Sequence, residues 1–242
     1  GGVTLEPGVE DRIRSEAKQL LADTGMVEVD VEVSPPNLAA QWAMGNLATL
    51  LADMGDKWPR CAPDLTDEVA FGMFLSQTMY NLHTAAAAEE LRIQANETMA
   101  RTFEQVDFVI AATNPGPAFP AESTTSAPQD GIVDKAMASD AGKYAVRGLL
   151  SVVRLAATIR PSLPSAILDF ASRKFPDLVN MGALTIISNI YGNPAVSIPA
   201  GTVDGLPVGM QVLGRHHEDA LLFDVALAVE RQRPWPLVAP RS

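Results

Sequence analysis

Apolar and polar positions along the chain follow two periods. Val9, Ile13, Ala17, Leu20 and Leu21 recur at helical spacing, which predicts an amphipathic helix over about Val9 to Asp23, with Gly25 as its stop. Val27, Val29, Val31 and Val33 then alternate with Glu28, Asp30 and Glu32. That is the period of a half-buried strand with one charged face, ended by Pro35-Pro36. Asn37 to Ala52 is apolar and rich in Ala and Leu, so it reads as helix. Asp56 to Pro63 reads as a loop, with Asp64 as N-cap of a helix starting near Leu65. Leu91, Ala95, Met99 and Phe103 lie four apart within a helix over Ala85 to Phe103.

Beyond Asp107, Phe108-Val109-Ile110-Ala111-Ala112 is wholly apolar, which fits a strand covered on both faces in a mostly parallel sheet. Thr113 to Asp130 is crowded with Pro, Ser, Thr and Gly and predicts an irregular loop, a common place for function directly after a buried strand. Ile132 to Phe175 reads as a helical insert with turn signals at Pro161 and Pro164. Ala195 to Ile198 and Val208 to Val212 are two short strands. Asp204-Gly205 between them predicts a hairpin. Glu218 and Asp219 open a last helix that Arg231 and Arg233 close, each sign matching the helix dipole. The whole pattern is α/β: a mixed β-sheet flanked by helices.

The stretch from Leu178 to Val203 carries no charge and is long enough to cross a bilayer. Asn180, Asn189, Asn193 and the Gly192-Asn193-Pro194 break argue against that, because a bilayer would leave the backbone around the break unpaired. The stretch reads instead as a buried helix, a tight turn and a buried strand.

Composition removes several function classes. With 47% hydrophobic residues a substantial core is expected, and a net charge of −11 without a basic run makes nucleic acid and anionic membrane poor partners. Cys61, the single cysteine, can form no intrachain disulfide and no cysteine-built zinc site within this chain. No export signal is visible in the first residues, so a cytoplasmic protein is expected. His216-His217-Glu218-Asp219 reads as a solvated helix start rather than a metal site. No metal ligands and no cofactor are assigned. No Gly-x-Ser-x-Gly elbow, dinucleotide fingerprint or Walker loop is present.

One long motif carries more. The run from Asn189 through Gly192-Asn193-Pro194-Ala195-Val196-Ser197-Ile198-Pro199-Ala200-Gly201, followed by Gly205-Leu206-Pro207-Val208-Gly209-Met210-Gln211-Val212-Leu213-Gly214, resembles the end of amidase-signature enzymes. Ala88 to Arg92 and Phe103 to Pro115 are similar to that family's helix, strand and threonine-proline loop. The resemblance spans residues 1–242 as a C-terminal portion of the family's domain, with 132–175 the least similar part.

The resemblance implies a serine–cis-serine–lysine hydrolase of carbon–nitrogen bonds. In it a serine attacks the amide carbonyl, an acyl-enzyme forms and water releases the acid. The family's three catalytic residues lie in a glycine-serine-rich N-terminal half that has no counterpart here. No catalytic residue is therefore assigned, and the chain alone is expected to be inactive. The expected partners are an N-terminal half carrying the triad and a small-molecule amide; a homo-oligomer is left open. Thr113, Asn114, Pro115, Ile187, Asn189 and Ile190 are the expected substrate-pocket residues, at loop and helix ends beside the sheet. Two other readings stand beside this one. The chain could be a non-catalytic binding or assembly module of the same fold, or a piece of an amidotransferase A-type subunit. Amidotransferases of that type usually carry a carboxylate seven positions before the asparagine equivalent to Asn189, where this chain has Gly182.

Overall fold

The computed structural model describes residues 3–118, 139–174 and 183–235. In chain order it contains α1 (Val9–Thr24), α2 (Ala39–Met54), a 3-10 turn (Ala62–Asp64), α3 (Asp67–Met79), α4 (Leu82–Phe103) and β1 (Val109–Ala112). There follow α5 (Asp140–Ile159), α6 (Leu163–Lys174), α7 (Ala183–Tyr191), β2 (Ala195–Val203), β3 (Leu206–Leu213) and α8 (Asp219–Gln232). Two compact units emerge. The described residues of 1–36, 94–121 and 180–242 form a sheet unit, and those of 37–93 and 122–179 a helical unit.

The sheet unit bears out the α/β reading with one difference: among the described residues the sheet is antiparallel throughout, in the order β1-β3-β2. The reason is local. Asp204 and Gly205 both adopt positive φ (52° and 81°), the twist a two-residue hairpin turn requires, so β2 and β3 must run in opposite directions. β1 then joins the far side of β3, pairing Val109 with Leu213 and Ala112 with Met210. One face of the sheet presents Ile198, Ala200, Val208, Met210 and Val212, which pack with Val9, Ile13 and Leu20 of α1 and Leu222, Val225 and Val229 of α8. Charge also locks α1 to α8. Arg233 donates to Glu16 and to Asp23 (3.0 Å), while Arg12 donates to Glu16 and to the Ala200 carbonyl.

The valine alternation at 27–33 does not form a strand. The segment has no regular secondary structure and no ladder partner among the described residues, and Val27 and Val29 face solvent (82% and 55% exposed). Alternation states which side chains share a face; a strand also needs a neighbouring backbone to bond. Val33 packs into a core alongside Met99, Phe103 and Leu213. A smaller correction concerns α3. Its N-cap is Thr66, whose hydroxyl accepts from the Val69 amide, not Asp64. Asp64 instead closes the 3-10 turn.

In the helical unit, α2 and α3 pack around Trp58, Ala70 and Met73, and Met44, Met79 and Leu150 join α2, α3 and α5 in a second cluster. Ser139 caps α5 by accepting from the Gly142 amide. Of the predicted insert at 132–175, residues 140–159 and 163–174 are helical, joined through Arg160 and a turn at Pro161-Ser162; 132–138 and 175 lie outside the described residues. Pro164 does not make a turn: it sits in the first turn of α6, where its missing N–H costs nothing. Where described, the uncharged run forms the expected helix α7, a turn at Gly192 (φ 80°) and strand β2; residues 178–182 lie outside. But β2 is not the buried strand expected: as an edge strand it buries Ile198 and Ala200 and exposes Ala195, Ser197 and Pro199. Among the described residues no helix is long and apolar enough to cross a membrane.

Candidate functional site

On the sheet face turned away from α1 and α8, the β2 edge is built of small side chains. Ala195, Ser197 and Pro199 of β2 are exposed there, and Gly209 of β3 is half-buried between β2 and the chain leaving β1. The Thr113 amide donates to the Gly209 carbonyl (2.8 Å), so the loop after β1 begins as a continuation of the ladder. The Thr113 hydroxyl then lies 2.7 Å from the Ser197 hydroxyl, spanning β3. A Cβ at Gly209 would come within 2.9 Å of both oxygens, so the bridge exists because position 209 has no side chain.

Two residues on, Pro115 is buried and its carbonyl accepts from the Glu6 amide (2.8 Å), which ties the loop to the segment before α1. Gly116 lets the Glu6 carboxylate close over the loop, in space a Cβ would fill. Asn114 between them is exposed. Residues 119–130 of the predicted loop lie outside the described residues.

Helix α7 is attached to the same sheet by Gln211. Its side-chain amide is buried and donates to the Ala112 carbonyl (3.0 Å) and to the Leu184 carbonyl (2.9 Å). One side chain therefore joins β1, β3 and α7. At the other end of the helix the Tyr191 ring stacks on Phe103 at 6.2 Å and meets His216 at 4.2 Å. His216 Nε2 bonds the Tyr191 carbonyl (2.8 Å), and Arg215 donates to the Phe103 and Val106 carbonyls and pairs with Asp107 (3.0 Å). Burial pushes the Tyr191 phenol above its ordinary pKa, because the phenolate is less well solvated there.

Of the six expected pocket residues, Thr113, Asn114 and Pro115 form the loop just described. Ile187 is half-buried in the cluster of Met99, Phe103 and Leu213, while Asn189 is exposed and Ile190 half-buried on α7. Loop and helix are thus brought to one sheet, joined through Ala112 and Gln211. Sequence reasoning alone does not single out Ser197, Gly209, Gln211 or Glu6 as site residues. The one available signal is Gln211 itself, a polar residue in the apolar run from Val208 to Leu213. Chemically, the paired hydroxyls offer hydrogen-bond donors and acceptors to a polar ligand, but a hydroxyl is no base. Among the described residues no group of three or more His, Cys, Asp or Glu is placed to hold a metal ion.

Comparison with known proteins gives this arrangement a context. The family model described as Amidase matches residues 159–223. A stretch of 80 residues is 41% identical to the A subunit of glutamyl-tRNA(Gln) amidotransferase from Lacticaseibacillus casei (strain BL23), covering 32% of this chain and 16% of that protein. Among solved structures, 6-aminohexanoate cyclic dimer hydrolase aligns over 97% of this chain and 43% of its own, with a TM-score of 0.63 at 18% identity. A bacterial aryl acylamidase of the amidase signature family aligns over 96% of this chain and 41% of its own, with a TM-score of 0.59 at 19% identity. The fold is that of amidase-signature enzymes, and the chain spans well under half the length of the proteins it matches.

Proposed function

We propose, from the amidase match of residues 159–223 and the amidase-signature fold, that the chain is the C-terminal part of an enzyme that hydrolyses a carbon–nitrogen bond. The observation that supports this reading best is the coverage: nearly all of this chain aligns, but only 41% to 43% of each amidase. The complete enzyme draws its serine–cis-serine–lysine set from the remaining polypeptide, in the same precursor or a second chain. Within it this chain contributes sheet strands and one wall of the substrate pocket, lined by Thr113, Asn114, Pro115, Ile187, Asn189 and Ile190. The Thr113–Ser197 pair adds a polar edge to that wall.

The test is reconstitution. The 242-residue chain alone should show no amide turnover above background, and the assembly with the missing half should hydrolyse simple amides. In the assembly, Asn189→Ala or Thr113→Ala should change KM or substrate preference more than folding. Unaltered kinetics for every substrate tried would make both positions structural, and an inactive assembly would remove the hydrolase reading in favour of a binding module.

A second reading has its own support, since the Lacticaseibacillus relative belongs to an amidotransferase. On that reading the assembly would release ammonia from glutamine and deliver it to an acceptor. Glutamine consumption that depends on an acceptor, with little turnover of simple aryl or alkyl amides, would select it.

A further inference from the structure

Helix α5 carries two apolar faces, and among the described residues the helical unit covers only one. Val146 and Leu150 pack with Met44, Met79, Phe74 and Ile167. Around the helix from them, Tyr144, Leu149, Val152, Leu155 and Ile159 are between 63% and 86% exposed. A surface helix normally keeps one apolar stripe and turns polar residues outward, so a second stripe along the whole helix calls for a second covering layer. Together the five side chains expose on the order of 600–700 Å² of largely apolar surface. That is more than the largest patch of a typical monomer and close to the ~800 Å² each partner contributes to a stable interface.

The spacing of the stripe says what fits it. Leu149 and Leu155 lie three residues either side of Val152, while Tyr144 and Ile159 close the two ends at nearly equal distance. Such a stripe is close to palindromic, so an identical helix laid antiparallel sets Val152 on Val152, Leu149 on Leu155 and Tyr144 on Ile159. That is the self-complementarity an isologous two-fold contact requires. Gly148, exposed and with nothing within 4 Å of an added Cβ, thins the helix beside this row and allows close approach.

We propose that α5 is the contact between two copies of this chain, paired antiparallel about a two-fold axis through Val152. The inference rests on the helix alone and is independent of the amidase reading. Additional polypeptide of the same enzyme has another natural place, the outer edges of β1 and β2, to which no strand pairs among the described residues.

The experiment measures mass by sedimentation and light scattering over a micromolar dilution series, with the native partner polypeptide present if one copurifies. The expected result is a species with two copies of this chain. Val152→Glu, which sets two carboxylates against each other on the axis, should raise the dissociation constant at least tenfold with helicity unchanged. Cysteine pairing, in a Cys61→Ser background, gives a second readout that does not depend on that variant folding. Val152→Cys should cross-link to itself, whereas Tyr144→Cys and Ile159→Cys should cross-link only when the two proteins are mixed. One copy at every concentration, a two-copy species that survives Val152→Glu, or self-cross-linking of Tyr144→Cys would each overturn the proposal. So would a partner polypeptide that shields Val152→Cys in a one-copy complex.

Discussion

The hydroxyls of Thr113 and Ser197, 84 positions apart in sequence, meet at 2.7 Å across the central strand of the sheet, above a glycine. Neither strand neighbour would bring them together if residue 209 carried a side chain. The pair fastens the loop that leaves β1 to the edge strand β2, and so fixes where the loop residues Asn114 and Pro115 stand.

Gly209→Ala should therefore act on two strands at once. The new methyl would sit 2.9 Å from both oxygens, closer than real Cβ contacts allow, so the hydroxyls must separate. An overpacking cost of about 1–3 kcal/mol is expected, read as a shift of the denaturant midpoint. Thr113→Val and Ser197→Ala should each cost about 1 kcal/mol, and in a double-mutant cycle their effects should couple. Additive single effects would mean that the two hydroxyls merely lie near each other.

Gln211 should be the least replaceable polar residue of the sheet. Gln211→Leu keeps the bulk but removes both donors, leaving the Ala112 and Leu184 carbonyls each short of a bond. About 1–3 kcal/mol is expected for the Ala112 carbonyl and less for the Leu184 carbonyl, which keeps its helical partner, with faster amide exchange in α7 than elsewhere. Gln211→Glu should be worse, because it aims carboxylate oxygens at two carbonyls. Uniform exchange throughout the sheet unit in Gln211→Leu would show that α7 is held by its apolar contacts alone.

These two sites show which parts of the fold sequence reasoning can reach. The β2–β3 hairpin is legible because Asp204-Gly205 encodes its own backbone geometry, and α1 because Gly25 stops it at φ 70°. The valine alternation at 27–33 misleads because a strand is a relation between two backbones, and the pattern reports on only one. The antiparallel direction of β1 escapes for a related reason. An apolar run such as Val109 to Ala112 signals burial but not the direction of its neighbour. The site lies further still from local pattern. The Thr113–Ser197 contact and the reach of Gln211 to Leu184 depend on register across three strands, which no spacing along one strand contains.

The charge cluster between α1 and α8 gives a third expectation. Glu16 accepts from both Arg12 and Arg233 while itself mostly buried, and Asp23 accepts from Arg233. Glu16→Gln would keep one acceptor oxygen, turn the other into an NH2 donor aimed at a guanidinium, and remove the negative charge that Arg12 and Arg233 share. A loss of about 1–3 kcal/mol is expected, larger than for the exposed Arg14–Glu10 pair, whose removal should cost at most a few tenths. Urea titration of Glu16→Gln beside Glu10→Gln separates the two, and equal small losses would mean the buried cluster contributes no more than a surface pair.

The last expectation concerns alkaline pH. Tyr191 lies between the rings of Phe103 and His216, and burial raises its pKa, so the fold favours the neutral phenol over the phenolate. Its contribution to stability is fully present below the unfolded-state value of about 10 and is lost as pH rises through the higher folded-state value. Ultraviolet absorbance of the phenolate should therefore show a late alkaline step that is missing in Tyr191→Phe. The same substitution should flatten the fall of the denaturant midpoint above pH ~10. An absorbance titration that lacks only an ordinary phenol step, with the same alkaline slope in Tyr191→Phe, would show that the phenol is solvated in the folded protein and that the α4–α7 junction does not exclude water.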